Sequence, residues 1–322
     1  MSKKKSGKRP GKTPRKQGDE GQGVVPPLDP RSFEKEMASL VRGIDAQDLE
    51  SVEDLESYLE KVLEGGQIPG LAPKTPLDQA QDLIYAAWDA RGDLRVTLAY
   101  RALGISKDCA DAYVLLAEET AKSLKEAKVL YEEGVKAGER ALGAEVFEND
   151  VGYFWGTLST RPYMRALRGL ADCLWLLGER KEAIAHYVEM LRLNPGDNQG
   201  IRYDLALHLL AEGEDEELRQ LLERYEEDIS ADWKYARALY MFRQEGADSA
   251  RASLREALET NPFVPNYLLG WKKLPKRMPD YIGFGDEREA VSYAAVAQEV
   301  WEKTTGALAW LAREVRARKK GG

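Results

Sequence analysis

Four arginines, Arg161, Arg165, Arg168 and Arg202, are the residues of this chain best suited to specific chemistry. A guanidinium presents a rigid fork of donors that matches a carboxylate, so a row of them on one face would grip an acidic peptide. Asp172, Trp175, Asn198 and Tyr203 fall at neighbouring positions of the same pattern and complete a candidate partner-binding surface. The plainer alternative is a solvated face whose charges are neutralised by nearby acids such as Asp172 and Asp204. A second basic feature lies at the N-terminus, where Lys3, Lys4, Lys5, Lys8, Arg9, Lys12, Arg15 and Lys16 occur with no acid among them. Subtracting those eight charges from the net −8 leaves −16 for the remainder. Such an arm could attract nucleic acid or an acidic partner, with strong salt dependence. No aromatics interleave with it, so base stacking is not expected.

Other chemistries find little support. Cys109 and Cys173 are the only cysteines and form neither a CxxC pair nor a disulfide framework, which fits a reducing cytoplasm. His186 and His208 stand apart from any second histidine at ligand spacing. "GFGDE" (283–287) is a glycine pair with no preceding strand, and "GDNQGIRY" (196–203) lacks the lysine a phosphate-binding loop would need. Carboxylate runs such as Glu214 to Glu217 read as helix surface. The expectation is a non-enzymatic chain with no cofactor and no metal. No apolar run approaches the ~18 residues that cross a bilayer, and no apolar segment follows the basic N-terminus as in a secretory signal.

The positioning elements are helices throughout. Residues 1–30, rich in Lys, Gly and Pro, read as a disordered basic tail. Residues 31–75 read as an N-terminal helical cap. Its first helix starts near Ser32, and its second carries Leu55, Leu59, Val62 and Leu63 on one face up to Gly65. From 76 to 262, breakers at Gly92, Ser106 to Asp108, Gly178, Pro195-Gly196, Gly213, Gly246 and Pro262 separate helices at regular intervals.

Those intervals match tetratricopeptide repeats, whose period is roughly 34 residues. The best copy is 164–197. It has Leu167, Leu170, Ala171 and Leu174 on its first helix, Gly178 at the turn, Ala183 and Tyr187 on its second, and Pro195 at its end. Ala171 and Ala183 permit close helix approach, while Leu170, Leu174 and Tyr187 fill the surrounding space. The next copies use Leu205, Ala206, Leu209 and Leu218, then Tyr235, Ala238, Leu239 and Leu254. Looser copies upstream use Tyr113, Leu116, Ala127 and Tyr131, and Leu83, Ala87, Val96 and Tyr100. Equivalent positions Leu83, Leu116, Leu170, Leu205 and Ala238 step by 33, 54, 35 and 33, so an insertion falls near 140–161. Its aromatic run, Tyr153, Phe154, Trp155 and Tyr163, is expected to fold against the adjacent repeat.

"RLNPGDNQGIRYDL" (192–205) is punctuation in this scheme: Pro195 stops a helix, Gly196 turns the chain, and Asp197 or Asn198 caps the next helix. Residues 263–322 then read as C-terminal capping helices, with Leu268, Leu269 and Trp271 sealing the last unit. The predicted fold class is all-α: a right-handed solenoid of helical hairpins.

Several stretches go beyond the general repeat. "CADAYVLLAEE" (109–119), "EAKVLYEEGVKAGE" (126–139), "NPFVPNYLLGWKKLP" (261–275) and "GDEREAVSYA" (285–294) resemble the suppressor-of-tumorigenicity-seven protein family, in the same order, over roughly 95–312. The stretch at 161–203 is similar to soluble, bacterial-type tetratricopeptide relatives. The resemblance implies a helical-repeat protein with no catalytic residues to carry over. It also implies membrane association in animal members, for which this sequence offers no span. The expected function is a scaffold or adaptor that holds a partner's peptide or helix in the concave groove. The alternative is a nucleic-acid-associated factor that uses the basic tail.

Overall fold

The computed structural model describes residue 31 and residues 34–47, 51–65, 74–279 and 281–321. The basic tail, including Lys3, Lys4, Lys5, Lys8, Arg9, Lys12, Arg15 and Lys16, lies outside the described residues, as does Ser32. Among those described the chain is all-helical, without a strand.

Two helices lead, α1 (Glu34–Asp45) and α2 (Val52–Gly65). Five antiparallel pairs follow: α3 (Pro76–Asp89) with α4 (Asp93–Ile105), α5 (Ala110–Thr120) with α6 (Leu124–Asn149), α7 (Arg161–Leu177) with α8 (Arg180–Leu193), α9 (Ile201–Glu212) with α10 (Asp215–Arg224), and α11 (Ala231–Ser249) with α12 (Arg251–Thr260). A short α13 (Val264–Leu268) and a hairpin of α14 (Glu287–Lys303) and α15 (Ala307–Gly321) complete the described chain.

Local sequence sets these limits. Thr75 and Asp78 form a reciprocal capping box before Pro76, satisfying backbone donors at the start of α3. Ser123, Ser230 and Asp286 each accept backbone N–H groups at the starts of α6, α11 and α14. Gly178 ends α7 in the left-handed conformation (φ 85°), which costs a residue without Cβ little. Asp197, rather than the exposed Asn198, caps α9: its carboxylate accepts from the N–H groups of Ile201 at 2.8 Å and Arg202 at 3.0 Å.

Small residues let α6 and α7 approach closely. A Cβ on Gly134 would lie 3.1 Å from Ala166 Cβ, and one on Gly138 would lie 2.8 Å from Tyr163 Cβ. Two apolar clusters result. One joins α3, α4 and α5 around Ile84, Trp88, Leu103 and Leu115; the other runs from Phe154 to Val315. Alternate helices also meet, α3 with α5, α5 with α7, and α9 with α11.

Several expectations need correction. Leu63 is exposed, and the buried residue of α2 is Tyr58. Tyr100 is exposed, because α4 turns that position to solvent while Leu98, Ala99 and Ala102 face the core. Leu268 is buried, but Trp271 lies on the surface with Leu274, Met278, Tyr281, Ile282 and Phe284. The stretch near 140–161 is helical to Asn149, bending at Gly143 (φ 70°), before a turn and a single 3-10 turn at Leu158–Thr160. There Phe154 and Tyr163 are buried with Phe147 in an aromatic cluster, whereas Tyr153 is exposed.

Candidate functional site: three charged clusters on alternate helices

Arg165 rises from the first turns of α7, whose start Pro162 favours. Its Nε and Nη2 donate to the two carboxylate oxygens of Asp111 on α5 at 2.7 and 2.6 Å. Its Nη1 donates to both oxygens of Glu34 on α1 at 3.0 Å. Arg161 Nη1 reaches the same Glu34 at 3.1 Å, and its Nε donates to the Trp155 carbonyl. Asp111 also accepts from Gln81 Nε2 at 2.8 Å. The Asp111 side chain is fully buried and that of Arg165 nearly so. Burial alone would lower the pKa of this guanidinium, but Asp111 and then Glu34 outweigh it and hold the value above the usual one. Arg165 and Arg31 both lie over the ring of Trp88, at 5.1 and 4.9 Å, and Arg31 pairs with Glu118 at 3.2 Å.

A second cluster stands one and two turns further along α7. Arg168 donates to Asp172 at 3.1 Å and to Asp204 on α9 at 2.6 Å, and Tyr187 donates to Asp172. Burial raises the pKa of Asp204, with Arg168 opposing. Trp175 stacks on His208 at 3.6 Å, and Arg180 also lies over the Trp175 ring, at 4.5 Å. A third cluster gathers at the start of α9. Arg202 donates to Asp228 at 2.7 Å, to Asp197 at 2.8 Å and to the Tyr203 hydroxyl at 2.6 Å, while that hydroxyl donates to Asp228 at 2.9 Å.

The predicted surface residues therefore fall into three groups instead of one continuous wall. Arg161 and Arg165 meet Glu34 and Asp111; Arg168 and Asp172 meet Asp204; Arg202 and Tyr203 meet Asp197 and Asp228. Asn198 lies exposed on the intervening turn. Each of the four arginines has a carboxylate of the same chain as its partner. Sequence reasoning missed Glu34 and Asp111. Asp111 did carry a signal, being a lone carboxylate in the apolar run "ADAYVLLA".

Further along, α14 packs against α9 and α11. Glu289 accepts from Ala231 N–H at 2.9 Å and Asn261 Nδ2 at 2.8 Å, Tyr293 neighbours Tyr235, and Trp301 Nε1 donates to the Tyr293 hydroxyl. Among the described residues no cluster of three or more His, Cys, Asp or Glu is arranged to hold a metal ion, and no helix is long and apolar enough to cross a membrane.

A family model described as "ST7 protein" matches residues 73–316, from the approach to α3 into α15. The chain belongs to the ST7 family. It is 30% identical over 257 residues to "Suppressor of tumorigenicity 7 protein-like" of Bos taurus, covering 72% of this chain and 46% of that protein. The human protein of the same name is also 30% identical, with 72% and 44% covered. "Protein ST7 homolog" of Drosophila melanogaster is 28% identical over 253 residues, with 70% and 47% covered. The chain thus spans a little under half the length of these ST7 relatives. Asp111, Arg161, Arg165, Arg168 and Arg202 all lie inside the ST7 match, whereas α1 with Glu34 precedes it.

Proposed function

We propose that this ST7-family chain is a non-enzymatic scaffold of tetratricopeptide type, a right-handed superhelix in which α3, α5, α7, α9 and α11 form the concave face. Its ligand is a peptide or helix of a partner protein held along that face, and its setting is the cytoplasm. The observation that carries the reading is the contact of α3 with α5, α5 with α7, and α9 with α11 across the helices between them. Stacked hairpins produce that relationship, and they leave one long face built from first helices alone. Side chains on such a face recognise an extended segment or an amphipathic helix through spaced anchors.

Photo-crosslinking in the native host tests this. A benzophenone amino acid at Asp172 or Trp175 on α7, or at Tyr203 on α9, is expected to capture partner protein. The same group at the exposed Val188 on α8 is expected to capture none. Equal capture from both faces, or capture from α8 only, overturns the reading.

A further inference from the structure

We propose that the face shared by α3, α5 and α7 is a helix-docking site which α1 covers in cis, and that its external ligand is an amphipathic partner helix with a carboxylate in its first turn. The proposal rests on the scaffold reading and names the chemistry of one of its ligands.

Charge supplies the first argument. Arg165 is nearly buried and Asp111 offsets one positive charge, yet Arg161 converges on the same point. Removing Glu34 would leave these two guanidinium groups facing a single carboxylate in a poorly solvated place. An uncompensated charge there is costly, so the site requires an anion. Glu34 supplies it across 131 positions of sequence.

Fit supplies the second. α1 covers the face without filling it. Hollows of about 480 and 680 Å³ flank the helix, and both reach Val41 and the turn at Thr157 and Leu158. The larger side of the first is apolar, with Leu77, Tyr85, Leu142 and Pro162 on its walls. Met37 and Val41, one helical turn apart, remain 39% and 40% exposed. Held by Glu34 at one end and the Arg42–Asp78 pair at the other, α1 leaves apolar surface that bulkier side chains would cover.

Position supplies the third. The face lies within the ST7 match and its occupant precedes it. The helix that fits therefore has a carboxylate, apolar residues three and seven positions later, and a basic residue at the eighth, as Glu34, Met37, Val41 and Arg42 do. Large aliphatic or aromatic side chains at the two apolar positions would reach into the hollows. A tethered competitor reduces the apparent affinity of such a ligand, because the open face is only fractionally populated.

The test titrates a fluorescent peptide of residues 31–47 into the full-length chain and reads anisotropy. The wild type is expected to bind it weakly, and Glu34→Arg, which releases α1, at least tenfold more tightly. Met37→Asp with Val41→Asp releases α1 without changing Glu34 and should give the same gain. Circular dichroism and a cooperative melt establish that each variant is folded. Equal affinity in wild type and in a folded released variant overturns the proposal, as does absence of binding to either. Concentration-dependent dimers of the released variants, dissolved by the peptide, would make the occupant a second copy and overturn the partner assignment. Loss of peptide binding with crosslinks from Trp175 retained would sink this site alone. Peptide binding without those crosslinks would sink the wider groove and keep the site.

Discussion

The ring of Tyr131 on α6 occupies the space beside Gly169 on α7 where any other residue would place its Cβ. An added Cβ would lie 2.2 Å from Tyr131 Cε1, far inside van der Waals contact. Gly169→Ala is therefore expected to destabilise the α6–α7 pair by about 1–3 kcal/mol, the usual cost of overpacking. Urea denaturation followed by circular dichroism measures it. Tyr131→Leu combined with Gly169→Ala should recover part of the loss, since the pair shares one volume. Additive losses would show that the ring does not set the spacing.

Asp111 is expected to be the most sensitive carboxylate in the first cluster. Asp111→Ala leaves Arg165 buried against Glu34 alone and should cost about 3–5 kcal/mol. Replacing both Asp111 and Arg165 by apolar residues should cost less than the single change, because no charge is then stranded. Melting of the two variants side by side decides the matter; a double variant less stable than the single one contradicts it.

Two half-buried groups impose opposite pH dependences. His208 lies against Trp175 and Tyr187, and burial, with Arg168 and Arg180 adding repulsion, lowers its pKa to about 3. The unfolded chain takes up a proton near pH 6.5 that the folded one refuses. This contribution is therefore complete above about 6.5 and is lost as pH falls toward 3. Asp232, at the start of α11, behaves in reverse. Burial and then Glu289 raise its pKa to about 7. Its contribution is complete below the ordinary carboxylate value of 3.8 and is lost as pH rises through 7. Asp232→Asn should raise the melting temperature at pH 8 by roughly 2–4 °C and change it little at pH 4. His208→Phe should flatten the decline between pH 6 and 4. Melting curves across that range check both signs.

The basic tail separates two readings of partner choice. In the scaffold reading, a chain lacking residues 1–23 captures the same protein partner as the full chain. Its affinity for a short RNA falls, together with the slope of that affinity against salt. Loss of protein capture in the deleted chain would instead make the tail the principal contact.

The pairs from α7 to α12 were legible in the sequence because small residues, glycine stops and prolines recur at fixed offsets. Gly178, Gly213 and Gly246 all adopt positive φ where breaks were expected. Leu170, Leu205 and Ala238 are buried as the spacing required. The charged clusters were only half legible. Arg161, Arg165, Arg168 and Arg202 were picked out as a group, but their carboxylate partners stand 4 to 131 positions away. Periodicity describes one helix at a time and says nothing of which distant helix lies opposite. The docking of α1 on α7 is of this kind, as is the packing of α14 on α9 and α11. The exposure of Trp271 went unread because an apolar residue beside a helix end looks the same whether it seals the core or faces solvent.

The reach from Glu34 to Arg165 also sets an order of events during synthesis. Each hairpin joins neighbours through a short turn and can close as soon as it emerges. α1 leaves the ribosome early, yet its seat on α7 does not exist until 131 further residues have been made. At roughly 5–20 residues per second that interval lasts about 7–26 s. For that time the newborn α1 lacks its seat, and the α3–α5 surface, complete at Thr120, waits uncovered until Arg165 follows, so a chaperone or partner present at translation meets the face before its tethered occupant does.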